Sequence, residues 1–175
     1  MRLFVAVGVP AEVKRALGEA QKDLKEEGGL KKVEIPLMHI TLKFLSDVNP
    51  RMIDRVDGVL REIPFTPFRV KVHGIGVFPN DKYIRAVWAG CQSTELEDLA
   101  KLVNEKLAGM FAKEDFAPHI TIARVKRKIV MDDYLRKYAD EKFGSFQVNE
   151  FYLVESILGR NGPKYNIMST YGSRE

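Results

Sequence analysis

The apolar residues of this chain recur at two spacings, and the switches between them mark out its elements. Residues 2–8 form a short, almost unbroken apolar run after Arg2, which predicts a first strand ended near Pro10. Beyond it Val13, Ala16, Leu17, Ala20 and Leu24 fall on one helical stripe, with Pro10 at the first helical position and Gly28-Gly29 as the stop. A short extended piece around 33–35 leads to a strand over 39–45. Asn49-Pro50 then opens a second helix carrying Ile53, Val56, Val59, Leu60 and Ile63. Strands over 68–78 and 83–89, separated by Pro79-Asn80-Asp81-Lys82, predict a hairpin. Thr94 and Glu97 have the spacing of a capping box ahead of a third helix bearing Leu96, Leu99, Leu102, Val103 and Leu107. A strand over 117–125, a shorter helix over 131–139 and two last strands over 146–158 and 165–171, joined through Arg160-Asn161-Gly162-Pro163, complete the order.

Four helices and seven or eight strands without strict βαβ alternation predict an α+β fold. Antiparallel or mixed sheets would have helices on their outer faces. No linker or low-complexity stretch divides the chain, so residues 1–175 are expected to form a single domain of two lobes, each bearing one of the motif strands described below. A chain of this length buries about 70% of the surface its unfolded form exposes, so no disulfide or metal staple is needed. Composition adds little to this, since 45% hydrophobic and 30% charged residues simply argue against disorder. A formal charge of +4 favours an anionic partner, a nucleic acid or a phosphorylated small molecule, but is equally compatible with an ordinary solubilising surface. Cys91 is the single cysteine, which excludes an internal disulfide and suits a reducing compartment, the cytoplasm by default. The apolar run Leu3 to Val9 is too short for a signal peptide, and no stretch is long enough to span a membrane.

Chemistry enters with a repeat. His39-Ile40-Thr41-Leu42 and His119-Ile120-Thr121-Ile122 share a His-Ile-Thr core in a protein with three histidines and five threonines. A shuffled chain of this composition would place that core at two of its histidines with a probability on the order of 10⁻⁵. Because strand side chains alternate, His and Thr of each motif face one side while Ile40, Leu42, Ile120 and Ile122 face the other. Two imidazoles that titrate near pH ~6.5 supply an acid and a base at neutral pH, and two hydroxyls can donate to an anion that gains charge. That set suits in-line opening of a phosphodiester by water; a strained 2′,3′-cyclic phosphate opens without a metal more readily than a relaxed diester. The alternatives are weaker. Two structural histidines would not share a threonine at the same offset, and zinc would need a third or fourth ligand that no Cys pair or HExxH provides. His73 lacks the threonine and reads as structural.

With both motifs placed, the chain resembles the two-histidine phosphoesterase superfamily, and within it the bacterial and archaeal RNA 2′,3′-cyclic phosphodiesterases, also called 2′-5′ RNA ligase-like proteins. The likeness runs through Arg2-Leu3-Phe4-Val5-Ala6-Val7, His39-Ile40-Thr41-Leu42-Lys43-Phe44-Leu45, Gly74-Ile75-Gly76-Val77-Phe78-Pro79, Val87-Trp88-Ala89-Gly90, Pro118 to Lys126, and Ser156-Ile157-Leu158 with Gly162-Pro163-Lys164-Tyr165. It implies a bilobal, pseudo-twofold fold and hydrolysis of an RNA-terminal cyclic phosphate to a 2′-phosphate. His39 would be the proton donor, His119 the proton acceptor, and Thr41 and Thr121 the phosphate holders. No cofactor and no metal are implied, and the expected partner is RNA with cyclic phosphate ends, such as tRNA fragments, bound by a monomer. One departure precedes the first motif: where many relatives carry a polar Glu-Asn before a Leu-His pair, this chain has Ile35-Pro36-Leu37-Met38.

The fifth residue after each histidine differs, Phe44 in one motif and Arg124 in the other. On a regular strand both would face away from the histidines, so they reach the same side only if each strand bulges. Arg124 is then expected to bind phosphate and Phe44 to stack on a base. The run Arg124, Lys126, Arg127, Lys128 would extend the positive field along an RNA backbone. Two other readings stand beside hydrolysis: an RNA end-binding or 2′-5′ ligating protein in tRNA processing, and a small-molecule cyclic phosphodiesterase.

Overall fold

A computed structural model describes residues 1–174. Its nine strands are β1 (Arg2–Gly8), β2 (Leu30–Lys32), β3 (His39–Asp47), β4 (Phe68–Asn80), β5 (Tyr83–Gln92), β6 (His119–Val125), β7 (Lys142–Val148), β8 (Glu150–Gly159) and β9 (Gly162–Gly172). The helices are α1 (Ala11–Gln21), α2 (Ile53–Arg61), α3 (Thr94–Lys106) and α4 (Asp132–Tyr138). The fold is α+β, as the spacing predicts, and none of its helices is long and apolar enough to cross a membrane.

The strands form one antiparallel sheet in the order β7-β4-β5-β6-β3-β1-β8-β9, with β2 added to β6. Two four-stranded halves meet between β6 and β3 at one residue pair, Ile40 opposite Ile120. β7 and β8 are separated by Asn149 alone, although one is an edge strand and the other lies at the far side of the order. The sheet must therefore curl until its two sides approach, and Asn149 carries the chain across, its carbonyl accepting from the Ser173 N–H at 2.8 Å. The strand expected over 146–158 is thus two strands. The apolar alternation runs through the junction without a sign that the chain is changing its place in the sheet.

The two halves match residue for residue where it matters. β1 lies against β3 with Gly8 opposite His39, Val7 opposite Ile40, Ala6 opposite Thr41, Val5 opposite Lys43 and Phe4 opposite Phe44. β5 lies against β6 with Gly90 opposite His119, Ala89 opposite Ile120, Trp88 opposite Thr121, Val87 opposite Ala123 and Ala86 opposite Arg124. Leu42 in one half and Ile122 in the other is passed over, so each motif strand bulges at the third residue after its histidine.

Behind the motif strands Ile40, Leu42, Ile120 and Ile122 join the buried stripes of α1 (Val13, Leu17) and α3 (Leu96, Leu99, Val103) in one core. Burial of this shared layer, at about 25 cal/mol per Å² of apolar surface, adds to the single inter-half strand pairing. Three boundaries differ from expectation. The cap of α3 is Ser93, whose Oγ accepts from the Leu96 N–H at 3.2 Å, because Ser93 is extended while Thr94 is already helical. Pro10 stands just outside α1, and Leu24 lies past its end yet is buried. The piece expected at 33–35 is β2 followed by a 3₁₀ turn over Ile35–Leu37.

Candidate active site

On the face of the sheet opposite that core, a cleft of about 700 Å³ straddles the β3–β6 seam. His39, Thr41, His119, Thr121, Phe44 and Arg124 all line it. In an antiparallel pair centred on Ile40 and Ile120, residue 39 lies across from 121 and residue 41 across from 119. The histidines therefore occupy one diagonal of a small frame and the threonines the other. The bulges bring the fifth residue round as well, so that Phe44 stays 53% exposed on the cleft side instead of entering the core.

Each imidazole is oriented by its own chain. His39 Nδ1 lies 2.8 Å from the Leu37 carbonyl, and His119 Nδ1 lies 2.6 Å from the Ala117 carbonyl, in both cases two residues back. A carbonyl only accepts, so Nδ1 carries the proton and the neutral ring keeps Nε2 bare. In His39 that nitrogen lies 2.8 Å from Thr41 Oγ1, whose hydroxyl donates to it in the neutral state. The Ile35-Pro36-Leu37 approach segment thus reaches the site through a backbone carbonyl.

The surroundings are less alike. Phe4 stacks on His39 with centroids 4.9 Å apart, and Tyr165 meets it edge-on at 5.3 Å. His119 has Phe78 edge-on at 5.0 Å, itself backed by Trp88 at 5.2 Å. Burial lowers the pKa of both histidines below the ordinary imidazole value, and the Arg124 charge lowers both further; the carbonyl bonds oppose this without reversing it. The cleft's charged lining is Arg2, Lys31, Lys32 and Arg124 against Glu34. Sequence reasoning misses the lysines of β2, because their approach to the motifs depends on strand order. Phe4, Phe78 and Tyr165 enter it only through the family resemblance, with no role given to them there.

The LigT-like phosphoesterase family model matches residues 7–88 and 90–165. The chain belongs to this family. It is 40% identical over 175 residues to the RNA 2′,3′-cyclic phosphodiesterase of Archaeoglobus fulgidus, covering 98% of this chain and 99% of the relative. Identity to the protein of the same name from Methanocaldococcus jannaschii is 35% over 176 residues, covering 98% and 100%. Among solved structures, TT0787 of Thermus thermophilus superposes with a TM-score of 0.84 at 29% identity, covering 98% of this chain and 97% of that one. The apo form of E. coli LigT superposes at 0.82 with 23% identity over 99% and 98%, a likeness of fold.

Proposed function

We propose that this LigT-like phosphoesterase hydrolyses RNA-terminal 2′,3′-cyclic phosphates to 2′-phosphomonoesters, using His39 as acid and His119 as base without a metal. The observation that carries the reading is the pair of imidazoles whose Nδ1–H groups are committed to carbonyls, leaving both Nε2 atoms to one cleft. The names of the relatives from Archaeoglobus and Methanocaldococcus support the same substrate class.

In this reaction His119 Nε2 removes a proton from water as its oxygen bonds to phosphorus. The bond from phosphorus to the ribose 3′ oxygen breaks, and that oxygen takes the proton held on His39 Nε2. The net change is hydrolysis, with the two histidines having exchanged protonation states. Thr41 and Thr121 donate to the non-bridging oxygens, Arg124 offsets their charge, and Phe44 stacks on the terminal base. The substrate's negative charge also raises the lowered histidine pKa values, so His39 acquires its proton as the substrate arrives. Both halves wall the cleft, so the whole chain is proposed to work as one unit, a monomer acting on RNA ends in the cytoplasm.

The test is product analysis with an RNA carrying a 2′,3′-cyclic phosphate end. A 2′-phosphate and a free 3′ hydroxyl are expected, unaffected by chelator. His39→Ala and His119→Ala should each lower kcat by about 10²–10⁴-fold. Undiminished turnover in both variants, or a 3′-phosphate product, would overturn the assignment.

A further inference from the structure

Among the described residues three amide or charged side chains are buried: Gln21, Lys43 and Asn104. All three lie behind the motif strands, at the bulges. Lys43 follows the bulged Leu42 and points into the core, where its ammonium donates to Asn104 Oδ1 at 2.6 Å and to the Ala112 carbonyl at 2.7 Å. Asn104, near the end of α3, also donates to the Glu114 carbonyl at 2.9 Å and accepts from the Glu114 N–H at 3.2 Å. In the other half Gln21, the last residue of α1, donates through Nε2 to the carbonyl of the bulged Ile122 at 2.9 Å and to the Val33 carbonyl at 2.8 Å. The Ile122 carbonyl also accepts from the Val33 N–H at 2.9 Å.

The helices are crossed between the halves. α1 follows β1 of one half and ends against β6 of the other; α3 follows β5 and ends against β3. An amide side chain at the end of the opposite half's helix therefore stands at each bulge: Gln21 bonds the bulged carbonyl itself, and Asn104 bonds the ammonium of Lys43, the residue after the bulge. Bulges disturb the ladder and need their displaced groups satisfied from elsewhere. A buried lysine whose hydrogen bonds all go to neutral oxygens is a poor way to stabilise a core, since burial disfavours its charge and the Glu114 charge offsets that only in part. An apolar side chain of similar length would fill the space at lower cost, which points to a role in geometry.

We propose that Gln21 and the Lys43–Asn104 pair are positioning residues that fix the two bulges, and through them the placement of Arg124 and Phe44 over the cleft. The inference rests on the assignment of Phe44 to the base and Arg124 to the phosphate, and it can be read without turnover. The experiment follows the imidazole NMR signals of His39 and His119 while adding inorganic phosphate or adenosine 2′-monophosphate to wild type, Lys43→Met and Gln21→Leu, with thermal melting alongside. Lys43→Met should weaken the nucleotide about tenfold and leave phosphate unchanged, because it acts through Phe44; Gln21→Leu should weaken both, because it acts through Arg124. In a Phe44→Ala background, Lys43→Met should have no further effect on the nucleotide. Should Lys43→Met fail to fold, Asn104→Ala breaks the same link from its other end, with the same expected split. Variants that melt earlier yet bind both ligands as wild type does would show a purely structural role and overturn the proposal. An undiminished Lys43→Met effect without Phe44 would do so too. Failure of the hydrolase reading looks different: wild type binds these ligands but opens no cyclic phosphate.

Discussion

His39 and His119 occupy equivalent places in equivalent motifs, and burial holds both pKa values below the usual imidazole range, with Arg124 adding to the effect. The proposed acid–base catalysis needs one of them protonated and the other neutral. In the free enzyme that combination is most populated between the two lowered values, so kcat/KM should peak below pH ~6.5 and fall as pH rises beyond it, when the acid is lost. A bound phosphate raises both values, so the optimum of kcat itself should lie at higher pH. Arg124→Gln removes one lowering influence; its kcat/KM profile should move to higher pH even as its magnitude drops from lost phosphate binding. The measurement is a pair of pH–rate profiles for wild type and variant. An unmoved profile in Arg124→Gln would mean that its charge does not reach the histidines.

At the scale of elements, the strand period made both motifs and their core-facing aliphatics legible, and it located all four helices. It also required a bulge for Phe44 and Arg124 to share a face with the histidines, and β3 and β6 both have one. What periodicity could not show was anything set by a partner strand. The break at Asn149, the pairing of β2 with β6 and the aromatic neighbours of each histidine all depend on which strands meet. The buried Lys43 was hidden for the same reason, since a lysine after a leucine looks like a solvent-facing position until the bulge turns it inward. Another such dependence is testable at Gly76, where an added Cβ would sit 2.4 Å from the Trp88 ring that backs Phe78 and, through it, His119. Gly76→Ala should cost about 1–3 kcal/mol. That corresponds to a melting point lower by roughly 2–4 °C for each kcal/mol, and kcat should fall with it. Gly58→Ala in α2, with open space around the new methyl, should instead stabilise by up to about 1 kcal/mol and leave kcat alone. Calorimetry and turnover of the two variants check both statements, and a Gly76→Ala protein with wild-type kcat would detach Trp88 from the site.

For the molecule as a whole, a nearly symmetric backbone frame carries an asymmetric lining. Phe4 and Ala86 stand at equivalent places beside Phe44 and Arg124, so at this level of the frame one half presents an aromatic pair and the other a cation. Lys31 and Lys32 on β2 enlarge the cationic side, with Lys31 directly opposite Arg124. On the proposed reading a mononucleotide uses the frame and the aromatic pair, whereas a longer RNA also has backbone phosphates to place along the cationic side. If two further phosphates are engaged, the affinity of an oligonucleotide should fall with salt more steeply than that of the mononucleotide, by about 1.4 in the log–log slope. Between 50 and 200 mM salt the ratio of the two KM values would then change roughly sevenfold. Replacing Lys31 and Lys32 by Gln should bring the two slopes together without altering hydrolysis of the mononucleotide. Parallel slopes already in the wild type would mean that the cleft reads the terminal nucleotide alone, and that β2 takes no part in holding the strand.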